Sequence, residues 1–399
     1  MSQTQFDVIV VGTGPAGATA AYDLAKAGAS TLLLDKQKLP RHKTCGGGVT
    51  HKVATILPFD LSPMIERTIN TVVFSYKMAQ PVELHSEQPL VYMVRRNQFD
   101  NFLTEHAVRA GATLMDETKV ESLDVSEVGA TVRTNNGTFT SSWLIGADGA
   151  TGTVARALGL MQDRILMPAV EEEVEVNDEV SDYWRDKMGL DLGSLAASYG
   201  WVFPKGDHLN VGVGGIAHDA NYGARLKQYD LAHLAKRVPQ KNRVRKNFGY
   251  MLPLRKTGSP ISKGRAMLIG DAAGLVEAFT GEGIYWAVRS GQLAARAIID
   301  WRLEIEDLAN SQSRISNLQS PSAAYENLVD SELMPDLISA RRWAYLYLRL
   351  PRFCYALPKH WQPMWRAVCK IVRGERGYSH IRNKLGAFGF LEDLLPAAV

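Results

Sequence analysis

The sequence has few cysteines and no long apolar stretch without charges. Its 399 residues include three cysteines, Cys45, Cys354 and Cys369, an odd number without paired spacing. This pattern is typical of a reducing compartment and predicts neither a disulfide framework nor a metal site. No run of 18 uncharged apolar residues occurs, so we expect no transmembrane helix. The N-terminal residues lack a basic region followed by a long apolar stretch, so we expect no signal peptide and a cytoplasmic protein.

Acidic residues are scarce in one segment near the C-terminus. Lys and Arg total 45 and Asp and Glu total 42, but residues 341–384 hold eleven of the basic residues and one acid, Glu375, together with eight aromatic residues. Basic side chains mixed with Trp and Tyr are typical of peripheral contact with an anionic membrane surface. A helical lid with a solvated basic face is an equal alternative. No nucleic-acid-binding module accompanies the charge, so we expect no nucleic-acid partner.

The first 36 residues have the pattern of a strand, a glycine-rich turn, a helix and a second strand. The short apolar runs Phe6–Val11 and Leu32–Leu34 are typical of buried parallel strands, and an alanine-rich helix over Ala18–Lys26 lies between them. In this context a G-x-G-x-x-G turn predicts a dinucleotide site: the backbone approaches a pyrophosphate at the helix N-terminus, and an acid after the second strand binds a ribose. The predicted residues are Gly12, Gly14, Pro15, Ala16, Gly17, Asp35 and Lys36.

Two further short strands each end at a glycine followed closely by an aspartate. Trp143–Ile145 leads into Gly146-Ala147-Asp148-Gly149, and Ala266–Ile269 leads into Gly270-Asp271. Here the chain resembles p-hydroxybenzoate hydroxylase-like flavoproteins, and the resemblance implies that the dinucleotide is FAD and that Asp271 binds its ribose or ribityl chain. The resemblance also implies that Gly281-Glu282-Gly283-Ile284 opens a helix near the flavin ring, where the helix N-terminus would stabilise negative charge.

Four more motifs resemble the geranylgeranyl reductase family of these flavoproteins. They are Lys43-Thr44-Cys45-Gly46-Gly47-Gly48, Val94-Arg95-Arg96-Asn97-Gln98-Phe99-Asp100, Tyr199-Gly200-Trp201-Val202-Phe203-Pro204, and the stretch from Gly274 to Tyr285. In that family the second motif supplies an arginine to FAD, here Arg96, and the third lies against an isoprenoid. Two positions depart from the family pattern: Ala196 stands where its aromatic signature begins with proline, and Phe279 replaces the proline before Thr-Gly-Glu-Gly.

From these elements we predict an α/β fold with a discontinuous Rossmann-like FAD-binding domain, an inserted antiparallel-sheet substrate domain and a C-terminal helical segment. A β-meander over Val120–Phe139, helices near 98–110 and 283–301, and mostly strand-like residues over 169–250 are expected. A polar linker over 311–322 precedes the C-terminal helices. The predicted bounds are 1–71, 95–165 and 262–305 for the FAD-binding domain, 72–94 and 166–261 for the substrate domain, and 306–399 for the helical segment.

The remaining candidate residues lie around the expected flavin and substrate. Cys45 is interpreted as a flavin-side residue, with a plain buried thiol as the alternative. Trp201 and Phe203 share one strand face, which is compatible with a pocket wall or with core. The further FAD candidates are Cys45, Gly46, Arg96, Val120, Asp148, Gly149, Gly270, Asp271, Gly281, Gly283 and Ile284; the substrate candidates are Tyr199, Trp201, Phe203, Phe279 and Tyr285; the catalytic candidates are Cys45 and Tyr199.

The resemblance implies an FAD-dependent reductase that hydrogenates C=C bonds of an isoprenoid or other lipid, by hydride transfer from flavin N5 with protonation of the alkene. A monooxygenase or halogenase on the same fold, and a flavin protein without turnover, are the alternatives. No second G-x-G-x-x-G is present to bind NADPH, so the electron donor is either transiently docked NADPH or reduced ferredoxin.

Overall fold

The computed structural model describes residues 4–216, 219–238, 244–311 and 319–380. Its strands are β1 Gln5–Val11, β2 Thr31–Leu34, β3 Gly48–Thr50, β4 Arg67–Ile69, β5 Thr71–Tyr76, β6 Ala79–His85, β7 Val91–Met93, β8 Thr113–Met115, β9 Val120–Val125, β10 Ala130–Thr134, β11 Gly137–Gly146, β12 Ile165–Val174, β13 Lys187–Leu192, β14 Ser198–Pro204, β15 Leu209–Gly215, β16 Val244–Leu254, β17 Ser262–Lys263 and β18 Ala266–Leu268.

The α-helices include a long one that follows the last strand. They are α1 Pro15–Lys26, α2 His51–Ile56, α3 Arg96–Arg109, α4 Thr153–Leu158, α5 Asp178–Tyr183, α6 Tyr222–Arg237, α7 Ile284–Ser311, α8 Pro321–Leu328, α9 Met334–Arg349, α10 Pro351–His360 and α11 Gln362–Val372. Short 3-10 turns occur at Ser62–Met64 and Gly270–Ala273, and a π-helical turn at Val329–Leu333 joins α8 to α9.

The chain divides into two compact units, each built from three separate stretches. The first unit comprises 1–41, 99–165 and 253–337, and the second comprises 42–98, 166–252 and 338–399. The mixed α/β architecture with a discontinuous Rossmann-like part is confirmed. These units differ from the predicted domain bounds, because residues 42–71 belong to the second unit and the C-terminal helices are divided between the two units. The functional assignment of the domains stays a prediction.

The first unit contains an eight-stranded sheet with a parallel centre. Its order is β17-β18-β11-β1-β2-β8, and β10 and β9 extend antiparallel from β11. The apolar runs that predicted β1 and β2 lie at the middle of this sheet, where residues such as Ile9 and Leu33 are fully buried. The α1 helix packs on α7 so closely that a Cβ on Gly291 would lie 2.4 Å from the Ala16 carbonyl oxygen.

The second unit contains a seven-stranded sheet and a three-stranded one. The larger has the order β16-β12-β15-β14-β13-β5-β6, and the smaller has the order β3-β7-β4. From β12 to β13 and between β5 and β6 the neighbouring strands are antiparallel, whereas β13 and β5 are parallel. The prediction that 169–250 is mostly strand missed the 16-residue helix α6 and the short α5. Buried residues such as Tyr222 and Leu226 line one face of α6, a helical spacing that the surrounding strand pattern obscured.

The C-terminal residues are mostly helical, as predicted, up to the end of α11 at Val372. Tyr355 of α10 donates a hydrogen bond to the Gln80 carbonyl (2.5 Å), and Trp365 of α11 donates one to the His85 carbonyl (2.7 Å), so both helices pack beside β6. Residues 312–318 of the predicted linker, and 381–399 with the last two basic residues of the charged segment, lie outside the described residues. Among the helices that the structure describes, none combines the length and the apolar character needed to cross a bilayer.

Candidate active site

The glycine turn after β1 excludes side chains at two of its three glycines. Gly12 has φ +110°, and a Cβ there would lie 2.3 Å from the Ala147 carbonyl oxygen. A Cβ on Gly17 would lie 1.9 Å from the Gly12 carbonyl oxygen. At Gly14 the nearest atom to a Cβ would be an Arg41 guanidinium nitrogen at 3.9 Å, so the turn is closed on the sheet side and open at Gly14.

The N-terminus of α1 is arranged to receive an anion. Gly14 is the N-cap residue and has no side chain to bond the first N–H groups, Pro15 occupies the first turn, and that turn carries no acid. The N–H groups and the positive end of the helix dipole suit a phosphate. The turn therefore fits the pyrophosphate of a dinucleotide.

Asp35 follows β2, as predicted, and is buried in a polar cluster. Its carboxylate accepts hydrogen bonds from the Thr13 hydroxyl (2.5 Å), the Gln37 N–H (2.9 Å) and Arg41 Nε (2.9 Å). Burial raises the pKa of the Asp35 carboxyl, but Arg41 and these hydrogen bonds outweigh it and hold the pKa below its usual value. Arg41 also donates to Asp100 at 3.2 Å, so one guanidinium joins two buried carboxylates.

Asp148 has a structural partner of its own. One carboxylate oxygen accepts the N–H groups of Thr153 (2.5 Å) and Val154 (3.1 Å) and thereby caps α4. The other oxygen, Oδ1, is buried and has no hydrogen-bond partner among the described residues. Burial raises the pKa of this carboxyl, opposed by the two N–H groups and by Lys36. Gly149 follows at φ +85°, and the contacts predicted for Asp148, Gly149 and Lys36 with FAD stay predictions.

The second aspartate motif meets the glycine motif that follows it. Gly270, at φ +57°, donates its N–H to Ser290 Oγ (2.9 Å), and a Cβ there would lie 3.0 Å from that of Ala16. Asp271 lies in the following 3-10 turn, and its Oδ1 would be 3.4 Å from a Cβ on Gly283. The structure therefore brings Gly270, Asp271 and Gly283 to the same edge of the sheet as the Gly12–Gly17 turn.

A buried glutamate that the sequence reasoning missed shapes the Thr-Gly-Glu-Gly loop. Glu277 is fully buried, and its carboxylate accepts hydrogen bonds from the Phe279 N–H, the Thr280 N–H (3.0 Å) and the Thr280 hydroxyl. Gly281 has φ +73° and donates its N–H to the Glu277 carbonyl (3.0 Å). The loop is thus fixed before Ile284 begins α7; Phe279 and Tyr285, the substrate candidates on either side, are half-buried.

Two predicted FAD residues lie away from these loops in the chain. Val120 begins β9 and is buried against its neighbours in the sheet. Arg96 is the first residue of α3 and is half-buried. Their contacts with FAD stay predictions.

In the second unit the three substrate candidates on β14 form an aromatic row. The ring centroids of Tyr199 and Trp201 are 5.8 Å apart and those of Trp201 and Phe203 are 6.2 Å apart. The opposite face of this strand is covered by α6, because a Cβ on Gly200 would lie 2.8 Å from the Tyr229 hydroxyl. Trp201 is buried, whereas Tyr199 and Phe203 are half-buried.

The Cys45 loop packs on the same aromatic row. A Cβ on Gly46 would lie 2.6 Å from the Phe203 ring and 3.4 Å from Trp201 Nε1. Gly47 has φ +65°, and its N–H donates to Cys45 Sγ at 3.4 Å. The structure therefore brings Cys45 and Gly46 together with Trp201 and Phe203.

A buried polar network beneath this loop was not predicted. Glu171 accepts the Cys45 N–H (2.8 Å) and a hydrogen bond from Asn210, whose Oδ1 in turn accepts Trp201 Nε1 (2.8 Å). Burial raises the pKa of Glu171, opposed by these donors and by Lys205. Lys205 is buried as well and donates to the carbonyls of Gly46 (2.5 Å) and Val94 (3.1 Å). Two features of the sequence could have indicated this network: Lys205 directly follows the aromatic motif, and Glu171 is an acid within a predicted strand.

Aromatic residues of β16 complete the surroundings of the loop. The His42 ring stacks on Phe248 with centroids 4.1 Å apart, and Lys43 Nζ lies 3.2 Å from the centroid of the Tyr250 ring. Neither aromatic residue was predicted as part of the site. Groups of His, Cys, Asp and Glu able to hold a metal are not found in the described part of the chain.

Comparison with known proteins places these motifs in a family. The model of the FAD binding domain family matches residues 5–300. Geranylgeranyl diphosphate reductase from the chloroplast of Arabidopsis thaliana is 31% identical over 325 residues, which cover 75% of this chain and 67% of that protein. This chain belongs to the geranylgeranyl reductase family of FAD-dependent oxidoreductases.

The family includes a relative that extends over more of the chain. Menaquinone reductase of Mycolicibacterium smegmatis is 30% identical over 378 residues, which cover 88% of this chain and 86% of that protein. The aligned stretch therefore includes part of the sequence beyond the FAD binding domain.

Solved structures show how widely the fold is used. A geranylgeranyl bacteriochlorophyll reductase-like protein from Thermoplasma acidophilum has a TM-score of 0.73 at 24% identity, covering 100% of this chain and 97% of that one. The flavin-dependent brominase Bmp2 has a TM-score of 0.72 at 19% identity, covering 97% of this chain and 100% of that one. At these identities the likeness concerns the fold alone, and this fold carries reductases and halogenases.

Proposed function

We propose that this enzyme hydrogenates C=C bonds of an isoprenoid chain. The observation that carries the proposal is the row of Tyr199, Trp201 and Phe203, with the Cys45–Gly47 loop packed against it. An aromatic wall beside a single thiol suits an apolar substrate that needs a proton donor and little else. The reductases among the relatives, named for geranylgeranyl diphosphate and for menaquinone, support a prenylated substrate.

The residues predicted as FAD contacts would hold this cofactor. We assign the pyrophosphate to the turn of Gly12, Gly14 and Gly17, and the ribose or ribityl groups to Asp35 and Asp271. The remaining FAD contacts are proposed for Pro15, Ala16, Lys36, Arg96, Val120, Asp148, Gly149, Gly270, Gly281, Gly283 and Ile284, with Cys45 and Gly46 on the flavin side. FAD, once bound and reduced, supplies the hydride.

The chain itself must provide orientation, exclusion of water and a proton. An isolated trisubstituted alkene has no carbonyl to accept charge, so a proton has to be delivered to one carbon as the other receives hydride. We propose the Cys45 thiol and the Tyr199 hydroxyl as the candidate donors. The aromatic row would hold the chain of the substrate, and Phe279 and Tyr285 stay separate proposals as substrate contacts. Two positions depart from the family pattern, Ala196, which is exposed, and Phe279. The experiment below therefore compares several isoprenoid substrates.

The electron donor is proposed to be NADPH or a reduced ferredoxin. Two samples of oxidised holoprotein with the same flavin content are mixed anaerobically with NADPH and with reduced ferredoxin. We expect one donor to bleach the flavin absorbance and the other to leave it unchanged. The donor that bleaches the flavin within seconds identifies the physiological class.

The basic segment is proposed to bind an anionic membrane surface, where prenylated substrates reside. Tyr355 and Trp365 face the sheet, whereas Leu350, Phe353 and Trp361 are 50%, 51% and 52% exposed. Exposed apolar side chains among basic residues fit an anionic lipid surface better than water alone.

Reduced holoprotein mixed with candidate substrates tests the reaction. Under anaerobic conditions we expect reoxidation of the flavin by geranylgeranyl diphosphate, by a geranylgeranylated glycerophospholipid or by menaquinone, with mass spectrometry showing two added hydrogens for each reduced bond. Reoxidation by oxygen should be slow. Rapid reoxidation by oxygen together with no hydrogenated product would instead support the monooxygenase or halogenase alternative.

A further inference from the structure

The two carboxylate oxygens of Glu277 accept hydrogen bonds from different donors. Oε1 accepts the Phe279 N–H, and Oε2 accepts both the N–H (3.0 Å) and the hydroxyl of Thr280. The residue is fully buried, so water does not replace a donor that is lost. An ionised carboxylate has an acceptor on both sides, whereas an amide has an acceptor on one side and a donor on the other. The loop is therefore built for glutamate and not for glutamine.

The backbone of Glu277 closes the same loop. Its N–H donates to the Glu282 carbonyl (3.0 Å), and its carbonyl accepts the Gly281 N–H (3.0 Å). Gly281 has φ +73°, and a Cβ on the next glycine, Gly283, would lie 3.4 Å from Asp271 Oδ1. The conformation of this loop therefore determines where the start of α7 lies relative to Asp271.

Phe279 occupies the position at which the family pattern has proline. A proline has a fixed φ of about −65° and no N–H, so it would restrain this position by itself and give Glu277 Oε1 no donor. Phe279 lacks the ring that fixes φ, and its N–H requires an acceptor, which Oε1 supplies. The hydrogen bond between Glu277 and Phe279 thus restrains the backbone where a proline ring would otherwise do so.

We propose that Glu277 is a positioning residue that restrains position 279 in place of a proline and thereby holds the start of α7 in the conformation that binds the flavin. The inference rests on the proposed FAD contacts of Gly281, Gly283 and Ile284, and it is independent of the substrate that is reduced.

A double-mutant cycle between Glu277 and Phe279 tests this role on the holoprotein. The fluorescence of FAD released on dilution gives its dissociation constant. Glu277→Gln can keep an oxygen toward Thr280 only by turning its NH2 group toward the Phe279 N–H, so the Kd for FAD should rise on the order of 10-fold. Phe279→Pro removes that N–H. Adding Glu277→Gln to Phe279→Pro should therefore raise the Kd by about 2-fold or less.

Glu326→Gln is the matched control, because Glu326 also binds two N–H groups and a hydroxyl. One oxygen, Oε1, accepts the N–H of Ile261 (2.9 Å), the N–H of Ser262 (2.8 Å) and the Ser262 hydroxyl (2.9 Å). Glutamine can keep all three hydrogen bonds with its single oxygen, so the Kd for FAD should not change.

The reduction potential of the bound flavin distinguishes positioning at the flavin from a purely structural role. The double variant keeps the loop but lacks one negative charge, so its potential should be higher than that of Phe279→Pro alone, because a reduced flavin carries negative charge. Equal potentials, or an equal rise of the Kd caused by Glu277→Gln with and without Phe279→Pro, would overturn the proposal.

Two further outcomes keep the test decisive. If Glu277→Gln alone gives no folded holoprotein, the double variant should still give it, and failure of the double variant would also overturn the proposal. If FAD binding behaves as expected but wild type reduces no isoprenoid, the role of Glu277 stands and the proposed function fails.

Discussion

The carbonyl oxygen of Gly12 lies where a side chain on Gly17 would have to begin, at 1.9 Å from an ideal Cβ. This contact joins the end of β1 to the first turn of α1, and both residues that make it belong to the dinucleotide turn. No side-chain rotation can relieve a clash with backbone.

Gly17→Ala should therefore damage folding as well as FAD binding. We expect a loss of about 1–3 kcal/mol or more in the free energy of unfolding, because the strand and helix must separate to admit the methyl group. Urea unfolding followed by circular dichroism measures the loss, and absorbance at the flavin band measures FAD content.

Gly14→Ala is the matched control for the same turn. Gly14 has φ −70°, which alanine adopts readily, and the nearest atom is 3.9 Å from its Cβ. The lower entropy of the unfolded chain favours alanine and its poorer capping of α1 disfavours it, so the free energy of unfolding should change by about 1 kcal/mol or less. FAD content should still fall, because the turn must admit a pyrophosphate at this position. Equal loss of stability in the two variants would contradict this account of the turn.

Arg41 joins the buried carboxylates of Asp35 and Asp100, and its removal should have a pH-dependent cost. Arg41→Leu leaves two buried carboxylates without their cation, which should cost about 3–5 kcal/mol at pH 8. The folded pKa of Asp35 is lowered, so its ionised form stabilises the protein above the unfolded pKa of about 4, and this contribution is lost as the pH falls through the folded value. Without Arg41 the carboxylate gains a proton more readily in the folded state.

The difference in unfolding free energy between wild type and Arg41→Leu should therefore narrow between pH 8 and about pH 4. Denaturant unfolding at several pH values measures it. Arg133→Leu, which breaks an exposed pair with Asp124, is the control and should change stability by about 1 kcal/mol or less. If the difference in unfolding free energy between wild type and Arg41→Leu stays constant with pH, Arg41 contributes through packing and not through its charge.

Trp201 should be more important for its indole N–H than for its ring. Trp201→Phe keeps an aromatic ring on β14 but leaves the buried Oδ1 of Asn210 without its donor, at a cost of about 1–3 kcal/mol. Since Asn210 also bonds Glu171, the Cys45 loop should loosen and proteolysis near it should become faster. Phe203→Leu, which removes a half-buried ring without a polar group, is the comparison; if it causes the same loosening, the network does not hold the loop.

The parallel sheet could be predicted because its signals are local. Gly12, Gly14 and Gly17 follow an apolar strand at fixed spacing, and backbone clashes at two of them show why no other residue is compatible. The strand end at Gly146 and the turn at Gly270 were found in the same way. At such turns the backbone geometry requires glycine, so the glycine spacing can be recognised in a single sequence.

The contacts of the polar network in the second unit could not be predicted from the weak signals at Lys205 and Glu171, because its members come from distant parts of the chain. Glu171, Asn210 and Lys205 meet the Cys45 loop only when β12, β14 and β15 pair, and each alone has the appearance of a surface residue. The helix α6 was missed for a related reason: its apolar residues also occur in strands, and only its packing on β14 and β15 selects the helical period.

The exposed apolar residues of α10 and its flanks should set the affinity for anionic membranes. Leu350, Phe353 and Trp361 are exposed, whereas Tyr355 and Trp365 of the same helices are buried. Basic residues near them in sequence, such as Arg352 and Arg366, are exposed as well. Replacing all three by serine should weaken binding to vesicles of mixed phosphatidylglycerol and phosphatidylcholine by about tenfold or more, because each side chain gains about 1 kcal/mol on burial. Cosedimentation at a series of lipid concentrations measures the loss.

A triple variant with serine at Val128, Leu231 and Leu303 removes three apolar side chains elsewhere that are at least as exposed, and it should bind as wild type. Binding should also fall as salt is raised, since the charges act through a screened field. Vesicles of phosphatidylcholine alone should bind weakly. If both triple variants lose affinity equally, or if phosphatidylcholine alone binds as strongly as the anionic mixture, the basic segment is a solvated lid and the membrane contact lies elsewhere.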